Sequence, residues 1–308
     1  MLNVILAVIF PVLLIASSLN VQDKQIDMKK IIVDECTRNA FREFYQYDRT
    51  LPLDARVLAS KPENGFVMEK ICFKSVHDQT VPALLALPKH GDKPYPCVLI
   101  LHSASGKKEN MRRWMEVMIG AGYAAMALDA QYHGERTHVG GYLDPKTLTD
   151  KQQWYRVRDF LIQTAIDYRR AIDYLETRKE IDSKRIASLG ESMGGIINVP
   201  LSAVEERIRV CVLVLSGGAV ARYTGKDMIR ALAPVCPMNF VSQIAPRAFL
   251  MQNGRLDKVI LPEHARALYD AAGNPKQIDW HDIGHGPEAG DYIGLTQEKI
   301  LEWLQMHL

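Results

Sequence analysis

The sequence has little excess charge of either sign and few cysteines. Its 308 residues include 38 Lys and Arg against 36 Asp and Glu, which gives a net charge of +2 at pH 7. With so small an imbalance and no basic run, nucleic acid is not an expected partner. Five cysteines are too few for a disulfide scaffold. A chain of this length can bury a large core without disulfides or metal, and its 47% of hydrophobic residues excludes a disordered or collagen-like chain.

Only one long hydrophobic run is present, at the start of the chain. Leu2 to Ile15 is almost wholly apolar and is followed by the small residues Ala16 and Ser18. As a helix, about 14 residues reach only about 21 Å, too short for a bilayer core of about 30 Å. The run therefore predicts a signal peptide, residues 1–18, and a secreted or periplasmic protein without a stable membrane span after cleavage. No Lys or Arg precedes the run, so an uncleaved membrane anchor stays open.

Beyond this run, short apolar segments alternate with helical patterns. Residues 19–93 are interpreted as an N-terminal extension with an opening hairpin, and residues 94–308 as a catalytic core in the same domain. The alternation predicts an α/β fold, with a mostly parallel sheet flanked by helices on both faces. Two stretches, 131–153 and 216–245, break the alternation after a strand. They are candidates for the walls of a ligand site, or else long loops that contact no ligand.

The strongest signal for chemistry is the segment Gly190-Glu191-Ser192-Met193-Gly194, between a strand-like run and a helical pattern. It has the G-x-S-x-G form of a nucleophile elbow. Small residues on both sides permit the sharp turn that pushes the serine hydroxyl out of the sheet edge. The segment predicts Ser192 as a nucleophile, and the alternative is a glycine-rich helix start that only packs against the sheet. Glu191 is expected to be a buried or rim polar residue.

A serine nucleophile requires a base and a carboxylate that orients the base. Asp257 follows one predicted strand and His285 follows the next, in the chain order serine, acid, histidine. The predicted catalytic residues are therefore Ser192, Asp257 and His285. His281 is expected to lie within a strand, away from the reaction. The spacing of His281 and His285 would bring metal ligands together only on a helix, which Gly284 disfavours, so neither a metal nor a cofactor is expected.

The tetrahedral intermediate of acyl transfer needs N–H donors for its oxyanion. One predicted donor is the N–H of Met193, at the helix entrance. The second is expected in the small-residue loop that begins at His102, at Ala104 or alternatively at Ser103. His102 itself is expected to brace this loop.

A polar segment follows the next predicted strand and ends near the same sheet edge. Asp129 is expected to accept hydrogen bonds from loop amides. His133, Glu135 and Arg136 are candidates for the lining of the pocket.

Together, these motifs resemble the α/β-hydrolase superfamily from about Pro94 to Leu308. The segments that begin at Asp129 and Asp167 are most similar to the dienelactone-hydrolase-like and acetyl-xylan-esterase-like branch. The resemblance implies roughly eight strands, mostly parallel, with one antiparallel strand near the start, and acyl-enzyme catalysis without a cofactor. Two departures stand out. Dienelactone hydrolases use Cys where this chain has Ser192, and many relatives have Gly where it has Ser103.

The sequence therefore predicts a serine hydrolase of the carboxylesterase type. Short-chain acyl esters are the expected substrates, either of a small molecule or of an acylated carbohydrate. A peptidase or amidase, or a lactone hydrolase, with the same triad is one alternative. A catalytically silent fold that acts as a binding module is another. The acyl and alcohol parts of the substrate depend on the two inserts, whose shape one sequence does not define.

Overall fold

The computed structural model describes residues 31–137, 151–218 and 226–308. The predicted signal peptide, residues 1–18, lies outside this part of the chain, and so do residues 138–150 and 219–225 of the two inserts. Within the described ranges, no helix is both long enough and apolar enough to cross a membrane.

The centre of the molecule is a nine-stranded sheet with the order β1-β2-β3-β5-β4-β6-β7-β8-β9. The strands are β1 (Arg56–Pro62), β2 (Phe66–Lys74), β3 (Thr80–Pro88), β4 (Tyr95–Leu101), β5 (Ala124–Leu128), β6 (Ile181–Glu191), β7 (Ile208–Val214), β8 (Ala248–Gly254) and β9 (Lys276–His281). The strands β1, β2, β3 and β5 pair antiparallel in turn, and every other pairing is parallel. Two strands, β1 and β3, therefore run against the other seven.

Helices cover both faces of this sheet. They are α1 (Glu35–Glu43), α2 (Arg112–Gly120), α3 (Lys151–Glu176), α4 (Met193–Val204), α5 (Lys226–Leu232), α6 (Pro262–Ala271) and α7 (Tyr292–His307). One apolar core contains buried side chains of α3, α4 and α6, and a second core, on the opposite face, contains those of α2 and α7. The prediction of an α/β fold with a mostly parallel sheet between two helical layers is confirmed.

The central strands are apolar along their whole length because both of their faces are covered. All five residues of β5 and all seven of β8 are buried. The edge strand β1 differs, since six of its seven residues are exposed. It brings the sheet to nine strands, beyond the roughly eight that the family resemblance implied. Its apolar run, Val57 to Ala59, is too short to indicate a strand from the sequence.

The described part of the insert 216–245 is packed into the molecule. Cys236 and Phe240 have no exposed surface, and α5 lies against α3. Residues 226–245 therefore extend the core, and only residues 216–218 among the described part of this insert lie at the end of β7, beside the nucleophile elbow.

Candidate active site

Ser192 occupies the sharp turn between the end of β6 and the start of α4. Its backbone has φ 50° and ψ −112°, a strained conformation for a residue with a side chain. A Cβ on Gly190 would lie 2.5 Å from the carbonyl oxygen of Gly194, and a Cβ on Gly194 would lie 2.2 Å from that of Leu101. Both positions therefore require glycine, and the turn is held against the end of β4.

The three predicted catalytic side chains are brought together at the carboxyl ends of the parallel strands. Ser192 Oγ lies 3.0 Å from His285 Nε2, and His285 Nδ1 lies 2.8 Å from Asp257 Oδ2. The other oxygen of Asp257 accepts hydrogen bonds of 2.8 Å from the backbone N–H groups of Val259 and Ile260. The Asp257 side chain is completely buried, whereas 16% of the His285 side chain is exposed. Nδ1–H can thus donate to the carboxylate while Nε2 accepts the serine proton.

Two backbone segments near Ser192 offer donors for an oxyanion. Met193 is the first residue of α4, so its N–H has no partner within the helix. In the loop after β4, Ser103 O accepts hydrogen bonds from Gly106 N (2.9 Å) and from His102 Nδ1 (2.8 Å). A trans peptide directs the C=O of Ser103 and the N–H of Ala104 to opposite sides. The Ala104 N–H therefore points away from these two partners.

His102 supports this loop through two hydrogen bonds. It is only 2% exposed, donates from Nδ1 to Ser103 O, and accepts at Nε2 from the N–H of Ala130 at 3.0 Å. Burial lowers the pKa of its imidazole to about 4. The ring is neutral at pH 7, with its tautomer fixed by one acceptor and one donor, and it joins the loop after β4 to the end of β5.

A buried ion pair holds the base of the same loop. Asp129 accepts hydrogen bonds from the backbone N–H groups of Lys108 and Glu135, each at 2.9 Å, and from Lys108 Nζ at 2.8 Å. The Lys108 side chain has no exposed surface. Burial opposes its charge, but the hydrogen bonds to Asp129, Glu109 and Glu135 outweigh burial and raise its pKa above the ordinary value. Sequence reasoning missed Lys108, because a lysine after a short polar loop gives no signal of burial.

The other candidate pocket residues have structural partners. Arg136 is buried and pairs with Asp167 at 2.6 Å, and Glu135 pairs with Lys108 and, at 2.9 Å, with Lys70. His133 Nε2 lies 2.8 Å from the carbonyl oxygen of Ala104. Their contacts tie the segment after β5 to its neighbours.

The rival histidine takes no part in the cluster around Ser192. His281 Nε2 lies 2.7 Å from Gln252 Oε1. In the part of the chain that is described, no group of three or more His, Cys, Asp or Glu side chains could hold a metal ion.

The sequence profile of the Dienelactone hydrolase family matches residues 81–224. This range begins in β3 and includes the nucleophile elbow, whereas Asp257 and His285 lie beyond it. Among curated proteins, "Putative hydrolase YtaP" of Bacillus subtilis (strain 168) is 26% identical over 178 residues. That match covers 52% of this chain, and the chain spans only 56% of the relative's length.

Solved structures of esterases share the fold over nearly the whole chain. An acetyl xylan esterase from Paenibacillus sp. R4 has a TM-score of 0.70 at 19% identity and covers 91% of this chain and 98% of its own. Acetyl xylan esterase 1 from Thermoanaerobacterium sp. JW/SL YS485 has a TM-score of 0.69 at 18% identity, with 90% and 99% covered. A glucuronoyl esterase from Solibacter usitatus has a TM-score of 0.64 at 16% identity, with 87% and 91% covered. The chain thus shares the α/β-hydrolase fold of these esterases, and residues 81–224 are similar to the Dienelactone hydrolase family.

Proposed function

We propose that this chain hydrolyses carboxylic esters through an acyl-enzyme on Ser192. The observation that carries the proposal is the continuous hydrogen-bonded series Ser192–His285–Asp257, with distances of 3.0 and 2.8 Å. Ser192 Oγ attacks the ester carbonyl while His285 Nε2 takes its proton. Asp257 keeps the proton of the neutral ring on Nδ1 and stabilises the imidazolium that forms.

The rest of the cycle uses the same groups. The N–H groups of Met193 and Ala104 hold the oxyanion of the tetrahedral intermediate, with Ser103 as the alternative donor. His285 then gives its proton to the leaving alcohol, and the acyl group stays on Ser192. In the second half, His285 takes a proton from water as the water oxygen attacks the acyl carbonyl. His285 then returns this proton to Ser192 Oγ as the acid leaves. No cofactor or metal is needed for these steps.

We propose short acyl groups on a small alcohol or a carbohydrate as the substrate class. The support is the fold similarity to two acetyl xylan esterases and a glucuronoyl esterase. A lactone is the second candidate, favoured by the match to the Dienelactone hydrolase family. A lactone is an internal ester, so the same triad would open it with the alcohol still attached to the acid product. The apolar start of the sequence supports a secreted or periplasmic location, which remains a prediction.

The test is hydrolysis of p-nitrophenyl esters from acetate to palmitate, with a simple lactone and a matched anilide beside them. We expect an optimum at acetate or butyrate, little anilide cleavage, and loss of turnover by a factor of about 10⁶ in Ser192→Ala with an unchanged circular dichroism spectrum. A folded wild-type chain that cleaves none of the esters would contradict the proposal. Preference for the anilide would favour a peptidase, and near-native turnover by Ser192→Ala would exclude Ser192 as the nucleophile.

A further inference from the structure

A buried carboxylate stands directly beside the nucleophile and has no part in the steps above. Glu191 is the last residue of β6 and is only 6% exposed. Its Oε1 accepts a hydrogen bond from Trp114 Nε1 at 2.5 Å and another from the hydroxyl of Tyr292. Trp114 is completely buried in α2, and Tyr292 is the first residue of α7.

These two partners come from the helices that follow the two catalytic loops. The loop at 102–107, with its candidate oxyanion donors, leads through a short 3₁₀ turn into α2. The loop that carries His285 leads into α7. One carboxylate oxygen therefore joins the strand of the nucleophile to both helices. A shift of either helix relative to Ser192 would break a buried hydrogen bond, which is costly in the interior.

Both partners of Glu191 donate to the same oxygen, Oε1. Burial raises the pKa of Glu191 above its ordinary value, while the hydrogen bonds from Tyr292 and Trp114 and the charge of a protonated His285 act in the opposite direction. Burial also raises the pKa of Tyr292, and the neighbouring Glu191 raises it further, so the phenol stays a donor.

Other charged groups also face this place from the packed elements. Asp257 contacts His285 directly at 2.8 Å, and Glu288 accepts at its backbone oxygen from the N–H of Gly284 in the same loop. Arg113, on α2, is exposed and paired with Asp291 at 2.6 Å. Glu191 is thus the one buried carboxylate besides Asp257 among these groups.

We propose that Glu191 is a positioning residue. It holds the loop at 102–107 and the loop that carries His285 in place around Ser192. This inference rests on the proposed serine hydrolase mechanism and adds to it the group that couples the two loops.

Removal of single donors tests the positioning role. Tyr292→Phe and Trp114→Phe should each lower kcat for p-nitrophenyl acetate by about tenfold, with KM changed less than about twofold, because misplaced groups weaken the transition state more than substrate binding. Tyr45→Phe is the matched control, since it removes another buried hydroxyl. That hydroxyl donates to Pro234 O at 2.8 Å, across 189 residues of sequence. Tyr45→Phe should lower the unfolding free energy about as much as Tyr292→Phe does, yet keep the wild-type kcat. If Tyr292→Phe and Trp114→Phe also keep the wild-type kcat, the positioning role is wrong.

Rescue by a conservative variant tests the same role at Glu191 itself. Glu191→Ala removes the acceptor and should lower kcat for p-nitrophenyl acetate by about tenfold or more, whereas Glu191→Gln keeps an oxygen acceptor for both donors and should retain most of the wild-type kcat. Equal kcat in Glu191→Ala and the wild type would overturn the positioning role.

Labelling by a fluorophosphonate separates failure of this inference from failure of the proposed function. The probe reports activation of Ser192 without any choice of ester substrate. We expect rapid labelling of the wild type and slower labelling of Tyr292→Phe, Trp114→Phe and Glu191→Ala at equal pH. Unlabelled wild type would overturn the proposed function together with this inference. Labelled wild type with equally fast variants would overturn this inference alone.

Discussion

At the scale of single residues, burial sets the protonation state of His102. His102 has a pKa lowered to about 4 by burial, and its Nε2 is already occupied as an acceptor for the N–H of Ala130. The unfolded chain therefore takes up this proton at a higher pH, near 6.5, than the folded chain does. The contribution of neutral His102 to stability is complete above that pH and is lost as the pH falls towards 4.

The direction of this pKa shift predicts how the unfolding free energy depends on pH. A pKa difference of this size corresponds to about 3 kcal/mol of unfolding free energy, lost between about pH 6.5 and pH 4. The variant His102→Gln cannot titrate, so its unfolding free energy should fall less steeply over that interval than the wild type's. Urea unfolding at a series of pH values, followed by tryptophan fluorescence, measures both slopes. The exposed His90→Gln should keep the wild-type slope. A His102→Gln slope equal to the wild type's would contradict the neutral assignment.

The sequence predicts the three proposed catalytic residues, but it does not predict which side chains support Ser192. Ser192, Asp257 and His285 each belong to a local pattern of strand, turn and helix that one segment displays. Glu191 meets Trp114 across 77 residues and Tyr292 across 101 residues. Contacts at such separations depend on how helices pack against the sheet, and no local pattern records them.

At the scale of elements, most strands and helices are apparent in the sequence because their apolar residues face a core. The opening hairpin that the sequence predicts within residues 19–93 is found as β2 and β3. The exposed strand β1 escapes prediction because it pairs through its backbone while its side chains face solvent. For the buried segment 226–245 the sequence predicts part of a loop, because its short 3₁₀ turns have neither a helical nor a strand period.

The pair Lys108–Asp129 joins the end of the loop at 102–107, which follows β4, to the end of β5. Both side chains are completely buried, so loss of one partner leaves an uncompensated charge. Lys108→Met should lower the unfolding free energy by about 3–5 kcal/mol. The control is Lys70→Met, which removes an exposed lysine that also pairs with Glu135, at 2.9 Å. Its cost should stay below about 1 kcal/mol. Equal losses of unfolding free energy in Lys108→Met and Lys70→Met, measured by urea unfolding, would contradict a larger contribution from the buried pair.

At the scale of the whole molecule, buried contacts fix the segment before β1 to the rest of the fold. Tyr45 has no exposed surface, packs edge-on against Phe240 and donates to Pro234 O. Arg42 donates to Ala203 O at 3.0 Å, at the end of α4. These contacts favour one folding unit, and the single domain stays a prediction.

One cooperative transition is therefore expected for the chain from the extension to its end. Unfolding in urea should give coincident curves for far-ultraviolet circular dichroism, tryptophan fluorescence and esterase activity. Tyr45→Ala should shift all three curves together, because a large buried aromatic side chain is removed from a shared core, at a cost of about 3–5 kcal/mol. Two separated transitions, with only the first displaced by Tyr45→Ala, would contradict a single unit.

The central claim is that an ester leaves its acyl group on Ser192. The most direct measurement is mass spectrometry of the chain quenched in acid within milliseconds of mixing with p-nitrophenyl acetate, followed by peptide mapping. We predict one added acetyl group on the peptide that contains Ser192. The group should be absent in Ser192→Ala and should form far more slowly in His285→Ala. An acetyl group on another residue, or turnover with no acylated serine at any time, would contradict the account.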